Sequence, residues 1–487
     1  MKQLAYITFF ISLVNFSWAQ EKSITQHSVD INGESIDYTA EVATLPLLNN
    51  QREAIAHIQY TYYTRNSKAY KTRPLVISFN GGPGSGSVWM HLAYTGPRVL
   101  KISDEGFPVQ PYGHKQNPFS ILDVADIVYV NPVNTGYSRP VLNEDGKFDK
   151  SKFFGVNADI NYLSEWINTF VTKKDKWLAP KFLIGENYGT TRVSGLANAL
   201  QNQHWMYING VILVSPTELG LDLSGPVEIA NRLPYFAAAA WYHNKLEPSL
   251  QNKPILDMLK EVENYTINTL TPALIKGGFI EDSKKQQVAN QMAKYSGITS
   301  EIFLENNLDV SYNLFWKSLK KNDGFTVGRL DSRYLGLDEK TAGTRPDYNA
   351  ELTSWLQSFT PAINNYYRNE LNYKTDLKYN MFGNVYPWDR TQNNNTGKQL
   401  RQAMAQNPSL NVMIQSGLFD GATTYFNAKY TMWHIDDSGK LKNRFTLKTY
   451  ESGHMMYLRR DDLQTANNDL RDFILKSIPK ENKPIKY

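Results

Sequence analysis

A short turn between an apolar run and a helix-like segment is the first place in this sequence where chemistry could occur. Residues 182–192 read FLIGENYGTTR, so two glycines flank Glu186, Asn187 and Tyr188. This pattern is typical of a strand, a sharp turn and a helix that together present a nucleophile at the tip. The tip is Asn187, which tolerates a positive φ but is not a nucleophile. The backbone N–H of Tyr188 would face the oxygen of a reacting carbonyl.

A glycine-rich segment supplies main-chain hydrogen-bond donors. Residues 79–87, FNGGPGSGS, directly follow an apolar run. Consecutive glycines expose backbone N–H groups in a tight turn, which is what an oxyanion hole requires. A glycine–proline turn alone is common, but its place after a predicted strand and ahead of the elbow-like turn favours a functional role.

An acid and a base follow two later predicted strands. Asp420 lies in SGLFDGATTY and His454 lies in YESGHMMY, each just after an apolar run. Open α/β sheets place their chemistry in loops at the carboxyl ends of strands. Either residue alone fits an ordinary surface turn or a hydrogen-bonded histidine. The order of elbow, acid and histidine is that of α/β-hydrolase triads and favours a catalytic pair.

Strands and helices that would position these groups alternate up to about residue 216. The Asn32-Gly33 pair predicts a hairpin, and we expect strands 54–63 and 74–79 to pair with each other. Further strands are predicted at 122–131, 182–184, 209–215, 410–415 and 445–450, and helices at 158–171 and 461–476. The pattern favours an α/β fold, with a mixed central sheet flanked by helices.

The domain boundaries follow from a change in composition. Residues 217–385 are rich in helix-compatible and aromatic residues with few strand patterns, which predicts a helical insertion that caps the sheet. Residues 20–216 and 386–487 are then the two parts of the α/β domain. Residues 1–19 resemble a secretory signal cleaved after Ala19, because a short apolar stretch precedes Ser17 and Ala19. We expect an exported bacterial protein, periplasmic or extracellular, without a membrane span.

Composition excludes several classes of function. The 487 residues include no cysteine, so disulfides, thiolate metal sites and a cysteine nucleophile are excluded. The net charge of +5 is spread along the chain and indicates no nucleic-acid partner. The eight histidines show no metal-ligand spacing, so we expect neither a metal nor an organic cofactor.

Several ordered motifs together resemble the serine carboxypeptidases, in the bacterial branch of that family. They are NGGPGSGS, MHLAYTGPRVL, NPVNTGYSRP, GENYGTTR, the Asp420 segment and GHMMY, with AAAAWYH and TVGRLDSRY in the predicted insertion. The resemblance implies an α/β-hydrolase fold with a helical cap and release of single residues from peptide C-termini. Peptide or protein C-termini are therefore the expected partners.

The resemblance also implies roles for individual residues. It implies Asp420 and His454 as triad acid and base, the backbones of Gly82 and Tyr188 as oxyanion donors, and Asn80, the Gly81 backbone and protonated Glu186 as the group that binds the substrate carboxylate. Asn187 stands where the family has its serine. Many eukaryotic members have a second carboxylate beside the elbow glutamate, where this chain reads Tyr94-Thr95-Gly96-Pro97.

The asparagine leaves several functions open. A carboxamide nitrogen cannot form the acyl-enzyme. In serine proteases that have lost the nucleophile, the remaining rate enhancement over the reaction in water is only ~10³ to 10⁴. We expect a relative with impaired catalysis that still binds peptide C-termini. The alternatives are a nucleophile relocated to Thr190, Thr191, Ser85 or Ser87, water activated by His454, a sequence change in an active serine enzyme, and a purely structural role.

Overall fold

A mixed β-sheet forms the centre of the fold. The computed structural model describes residues 22–391, 394–480 and 483–486. The main strands are β1 (Lys22–Ile31), β2 (Glu34–Leu48), β3 (Ala54–Arg65), β4 (Leu75–Phe79), β5 (Asp126–Val130), β6 (Lys181–Glu186), β7 (Gly210–Val214), β8 (Asn411–Gly417) and β9 (Phe445–Tyr450). Their order across the sheet is β1-β2-β3-β5-β4-β6-β7-β8-β9, and the short strand Arg139–Pro140 pairs with β3. The expected mixed α/β sheet is confirmed.

The direction of the strands changes at β5. Neighbours from β1 to β5 are antiparallel, whereas those from β5 to β9 are parallel. The predicted hairpin joins β1 to β2, with Asn32 at φ 50° and Gly33 at φ 85°. Two residues with positive φ make the tight turn whose twist suits a hairpin. Two separate short pairs are Arg98–Leu100 with His114–Gln116 and Thr326–Val327 with Leu335–Gly336.

The predicted pairing of strands 54–63 and 74–79 is wrong. β5 lies between β3 and β4, pairing antiparallel with β3 and parallel with β4. All five residues of β4 are buried. A strand that is apolar on both faces suits the interior of a parallel sheet, where helices cover both sides, better than a hairpin.

Helices cover both faces of the sheet. They are α1 (Val88–Ala93), α2 (Val156–Lys173), α3 (Tyr188–His204), α4 (Gly225–Tyr242), α5 (Pro248–Gln251), α6 (Ile255–Tyr265), α7 (Thr271–Leu274), α8 (Asp282–Ser296), α9 (Ser300–Glu305), α10 (Tyr312–Ser318), α11 (Ala350–Asn365), α12 (Thr396–Gln406), α13 (Tyr425–Ile435) and α14 (Arg460–Ser477). Short π-helical turns, Thr266–Leu270 and Tyr366–Glu370, extend α6 and α11. None of the described helices is both long and apolar enough to cross a bilayer.

The buried apolar residues form three clusters. One lies between the sheet and α1, α11 and α14, and a second lies between the sheet and α2, α3 and α12. The third cluster belongs mainly to α4, α6 and α8 and meets the rest of the chain at Leu418 and Phe419. Residues around 225–327 thus have a core of their own, while α11 packs on the sheet. The division at residues 217 and 385 stays a prediction, and the predicted signal at 1–19 lies outside the described residues.

Candidate active site

The turn after β6 has the geometry that the sequence predicted. β6 is fully buried, and α3 begins at Tyr188, one residue after the tip. Asn187 has φ 55° and ψ −125°, a sparsely populated conformation that costs of the order of 1–3 kcal/mol in a non-glycine residue. A Cβ atom at Gly185 would lie 2.2 Å from the carbonyl oxygen of Gly189. Strand and helix can approach this closely only because position 185 lacks a side chain.

The glycine-rich turn lies against this elbow. A Cβ atom at Gly81 would lie 2.5 Å from the backbone nitrogen of Tyr188, and Gly82 has φ 107°. Within the described residues, neither the Gly82 amide nor the Tyr188 amide donates a hydrogen bond. Two unpaired amides close to one another can hold a developing negative charge on oxygen. Their assignment as an oxyanion hole stays a prediction.

Asp420 and His454 form a buried pair, 0% and 4% exposed. Nδ1 of His454 lies 2.7 Å from Oδ2 of Asp420. The backbone amide and the hydroxyl of Thr423 also donate to the Asp420 carboxylate, at 3.1 and 2.7 Å. Burial disfavours the charged His454 ring, but the charge of Asp420 and its hydrogen bond outweigh burial and raise the pKa of His454. The imidazole is therefore held in position and can accept a proton.

Glu186, the last residue of β6, is an almost fully buried carboxyl group, 2% exposed. Its Oε2 accepts hydrogen bonds from Nδ2 of Asn80 and, at 2.7 Å, from the hydroxyl of Tyr457. Burial raises the pKa of Glu186 to about 7, although His454, Tyr457 and Asn80 each lower it. Near neutral pH a large share of this group is therefore protonated and can donate a hydrogen bond.

Tyr457 is a site residue that sequence reasoning missed. Its ring stacks on Tyr94, with ring centres 4.9 Å apart, so position 94 contributes an aromatic face rather than a second carboxylate. The signal was present, because Tyr457 ends the GHMMY motif. Its role could be recognised only once the distance between position 457 and Glu186 was known.

A cavity of about 210 Å³ brings the predicted residues together. Six of the eight line it, namely Asn80, Gly81, Gly82, Glu186, Asn187 and His454. Tyr188 adjoins the cavity through its proximity to Gly81, and Asp420 lies behind His454. The remaining wall is made by Ser85, Trp89, Arg329, Leu330, Asn349, Leu352, Phe382 and Met455. Apolar side chains thus surround a small group of polar ones, as in many ligand sites.

Within the described residues, none of the hydroxyl groups proposed as relocated nucleophiles makes a hydrogen bond to His454. The Thr190 hydroxyl donates to the carbonyl oxygen of Asn187 at 2.6 Å, and the Thr191 hydroxyl lies 2.7 Å from that of Thr217. Of the four candidates only Ser85 lines the cavity, and within the described residues its hydroxyl makes no hydrogen bond to His454.

A buried ion pair fixes the glycine-rich turn, and the sequence did not reveal it. Arg192 on α3 contacts Oδ2 of Asp159 through Nε at 2.7 Å and donates to the carbonyl oxygen of Asn80 at 2.6 Å. The Tyr188 hydroxyl donates to the same carboxylate at 3.3 Å. The helix after the elbow thereby holds both the Asn80 backbone and the Tyr188 ring in place.

Comparison with known proteins agrees with these motifs. The family model described as "Serine carboxypeptidase" matches residues 48–460. The chain is 28% identical over 167 residues to "Serine carboxypeptidase-like 36" of Arabidopsis thaliana, covering 32% of this chain and 31% of that protein. It is 28% identical over 208 residues to "Lysosomal protective protein" of Mus musculus, covering 40% of this chain and 37% of that protein. The matched segments thus span about a third of the length of these relatives.

A solved structure resembles the chain over nearly its whole length. The crystal structure of a prohormone-processing carboxypeptidase from Saccharomyces cerevisiae superposes with a TM-score of 0.54, covering 92% of this chain and 93% of that one. The two sequences are 15% identical in that comparison. At this identity the likeness concerns the fold alone.

Proposed function

Because the chain belongs to the serine carboxypeptidase family and has its α/β-hydrolase fold, we propose that it binds peptide C-termini and that its hydrolysis of peptides is impaired. Glu186 is the observation that carries this proposal. It is a buried carboxyl group with a pKa of about 7, beside Asn80 and Gly81 in the same cavity as Asn187 and His454. An ionised carboxyl there would repel a peptide's terminal carboxylate, whereas a protonated one donates a hydrogen bond to it.

The binding step follows from these donors. Protonated Glu186, the amide group of Asn80 and the backbone N–H of Gly81 bind the two oxygens of the terminal carboxylate. The carbonyl oxygen of the last peptide bond then lies toward the amides of Gly82 and Tyr188. This orientation brings the peptide bond beside His454, where the family's reaction takes place.

The chemical step is where this chain differs. In the serine-dependent reaction a hydroxyl attacks the carbonyl carbon, the histidine accepts its proton, and the histidine later protonates the departing amine. The nitrogen of the Asn187 carboxamide has its lone pair delocalised and no ionised form near neutral pH. His454 therefore has no proton to accept from position 187, and no acyl-enzyme forms there.

The intact Asp420–His454 pair favours a second candidate function, an active exopeptidase. In that case His454 activates a water molecule, Ser85 acts as a relocated nucleophile, or Asn187 is a sequence change in an active serine enzyme. In a serine protease, removal of the nucleophile lowers kcat about 10⁶-fold. The activity of the native protein therefore separates the two functions.

Peptide binding and hydrolysis test both functions together. We expect calorimetry at pH 6 to show that the native protein binds an N-blocked dipeptide acid but not its C-terminal amide. We expect no hydrolysis above the Asn187→Ala control, and a gain of hydrolysis in Asn187→Ser that His454→Ala abolishes. Native hydrolysis that is lost in His454→Ala would establish the second function, and equal affinity for acid and amide would overturn the first.

Export is part of the proposal and rests on residues 1–19. Cleavage after Ala19 would give a mature chain that starts at Gln20. Mass spectrometry of the protein recovered from a bacterial periplasm tests this. An N-terminus that still carries the apolar segment would contradict it.

A further inference from the structure

Arg329 brings an unpaired positive charge into the cavity that also holds Glu186 and His454. Arg329 lines this cavity and an adjoining one of about 480 Å³. Within the described residues, its guanidinium group makes no hydrogen bond and no ion pair. A guanidinium offers five N–H donors in a planar arrangement that matches a carboxylate. These donors are available to a ligand in the cavity.

The backbone from which Arg329 extends is fixed relative to the site. The Glu351 carboxylate accepts from the amides of Arg329 and Leu330, at 3.2 and 2.9 Å. The amide of Gly421, the residue after the triad acid, donates to the Arg329 carbonyl at 3.0 Å, and the His454 amide donates to that of Leu330 at 2.7 Å. A ligand that binds the guanidinium therefore has to order only one side chain, which lowers the entropic cost.

The surroundings of Arg329 also favour an anion. No described carboxylate lies within ion-pair distance of its guanidinium group. In the adjoining cavity, the side chain of Arg345 likewise has no hydrogen-bond or ion-pair partner in the described part of the chain. Asp347 lines the same cavity, and its carboxylate accepts a hydrogen bond from the backbone amide of Glu339 at 2.8 Å. Among the residues that line the adjoining cavity, the two arginines outnumber the single carboxylate of Asp347.

We propose that Arg329 selects peptides whose C-terminal residue is aspartate or glutamate. The inference rests on the proposed function, because Glu186 and its neighbours must hold the terminal carboxylate. The side chain of the same residue then extends into the cavity of about 210 Å³, which has room for one side chain and is lined by Arg329. A charge-assisted hydrogen bond to an exposed arginine should favour glutamate over glutamine up to about fivefold.

Binding of three ligands by native protein and three variants tests this. The ligands are the N-acetyl dipeptides Ala-Glu and Ala-Gln as free acids and Ala-Gln as its C-terminal amide. Calorimetry at pH 6 and low salt keeps the ligand carboxylates ionised while Glu186 remains largely protonated. The variants are Arg329→Ala, Arg329→Lys and the matched control Arg345→Ala, which removes the same charge from the adjoining cavity only.

The expected result is a preference of up to about fivefold for Ala-Glu over Ala-Gln that Arg329→Ala abolishes, Arg329→Lys partly retains and Arg345→Ala leaves in place. Equal weakening of both acids by Arg329→Ala would mean that the arginine binds the terminal carboxylate, and would overturn the inference. Loss of the preference in Arg345→Ala would do the same, because overall charge would then explain it. If native protein binds the Ala-Gln acid better than its amide but shows no preference for Ala-Glu, only the inference fails. If native protein binds the Ala-Gln acid and its amide equally well, both the proposed function and the inference are contradicted.

Discussion

Replacing Glu186 by glutamine should stabilise the fold at high pH and leave its stability nearly unchanged at low pH. Burial raises the pKa of this carboxyl from 4.5 to about 7. Below about pH 4.5 the group is protonated in the folded and the unfolded chain alike, so folding does not bury a charge and its ionisation does not affect the free energy of unfolding. Between these two values the unfolded chain ionises while the folded chain stays protonated, and the free energy of unfolding falls as pH rises. Above pH 7 the loss is complete.

The size of the effect follows from the two pKa values. At about 1.4 kcal/mol per pKa unit, the difference corresponds to about 3 kcal/mol. A glutamine at position 186 has no charge to lose and still offers an oxygen to Asn80 and Tyr457. The Glu186→Gln variant should therefore match the native protein near pH 4 and exceed it by about 3 kcal/mol above pH 7.

Urea unfolding of the native protein and Glu186→Gln from pH 4 to 8.5 measures this difference. The same series should show native affinity for a dipeptide acid falling about fivefold from pH 7 to 8 as Glu186 ionises, with no such fall in the variant. Asp462→Asn is the matched control, because burial raises the pKa of Asp462 to about 6 and the residue does not line the cavity. Its affinity should follow that of the native protein. A stability difference that stays constant with pH, or is larger at pH 4 than at pH 8, would refute the reasoning.

Three further changes test the supports of the site. Arg192→Met should lower the free energy of unfolding by about 3–5 kcal/mol in urea unfolding, because it leaves Asp159 buried without its charged partner. Adding Asp159→Asn should recover part of this loss. Losses that simply add in the double variant would contradict the pairing. Tyr457→Phe removes a hydrogen bond that lowers the pKa of Glu186, so the pH midpoint of peptide-acid binding should move above 7, and an unchanged or lower midpoint would count against the assignment. Asn187→Gly should raise the free energy of unfolding by about 1 kcal/mol, because glycine adopts φ 55° without strain. A lower free energy of unfolding in this variant would show that the elbow is not strained.

The sequence predicted those parts of the site that depend on local rules. The elbow follows from glycines at fixed positions around Asn187, and the β1–β2 hairpin follows from Asn32-Gly33, whose backbone angles suit only one kind of turn. The family and its fold were also predicted, because the motifs occur in a fixed order along the chain, and both predictions are confirmed.

Parts of the structure that depend on distant packing could not be predicted in the same way. The position of β5 between β3 and β4 joins residues more than 50 positions apart, and no local pattern specifies it. The partner of Arg192 is 33 positions away, and α11 packs on the sheet although its composition resembles that of the helices that precede it in the chain. In each case the sequence shows that a residue is to be buried but not which element covers it.

The Asp420–His454 pair and Glu186 differ in what they say about function. Removing one partner of a buried, hydrogen-bonded pair is destabilising by about 3–5 kcal/mol, so the loss of Asp420 or His454 alone would destabilise the fold whether or not the chain hydrolyses peptides. Their presence is therefore weak support for catalysis. Glu186 has the opposite effect, because a neutral side chain there would spare the folded protein about 3 kcal/mol above pH 7. A buried carboxyl that has a raised pKa and lines a cavity is typical of a functional site. For this reason recognition of a terminal carboxylate is the firmer part of the proposed function, and it does not depend on the side chain at position 187.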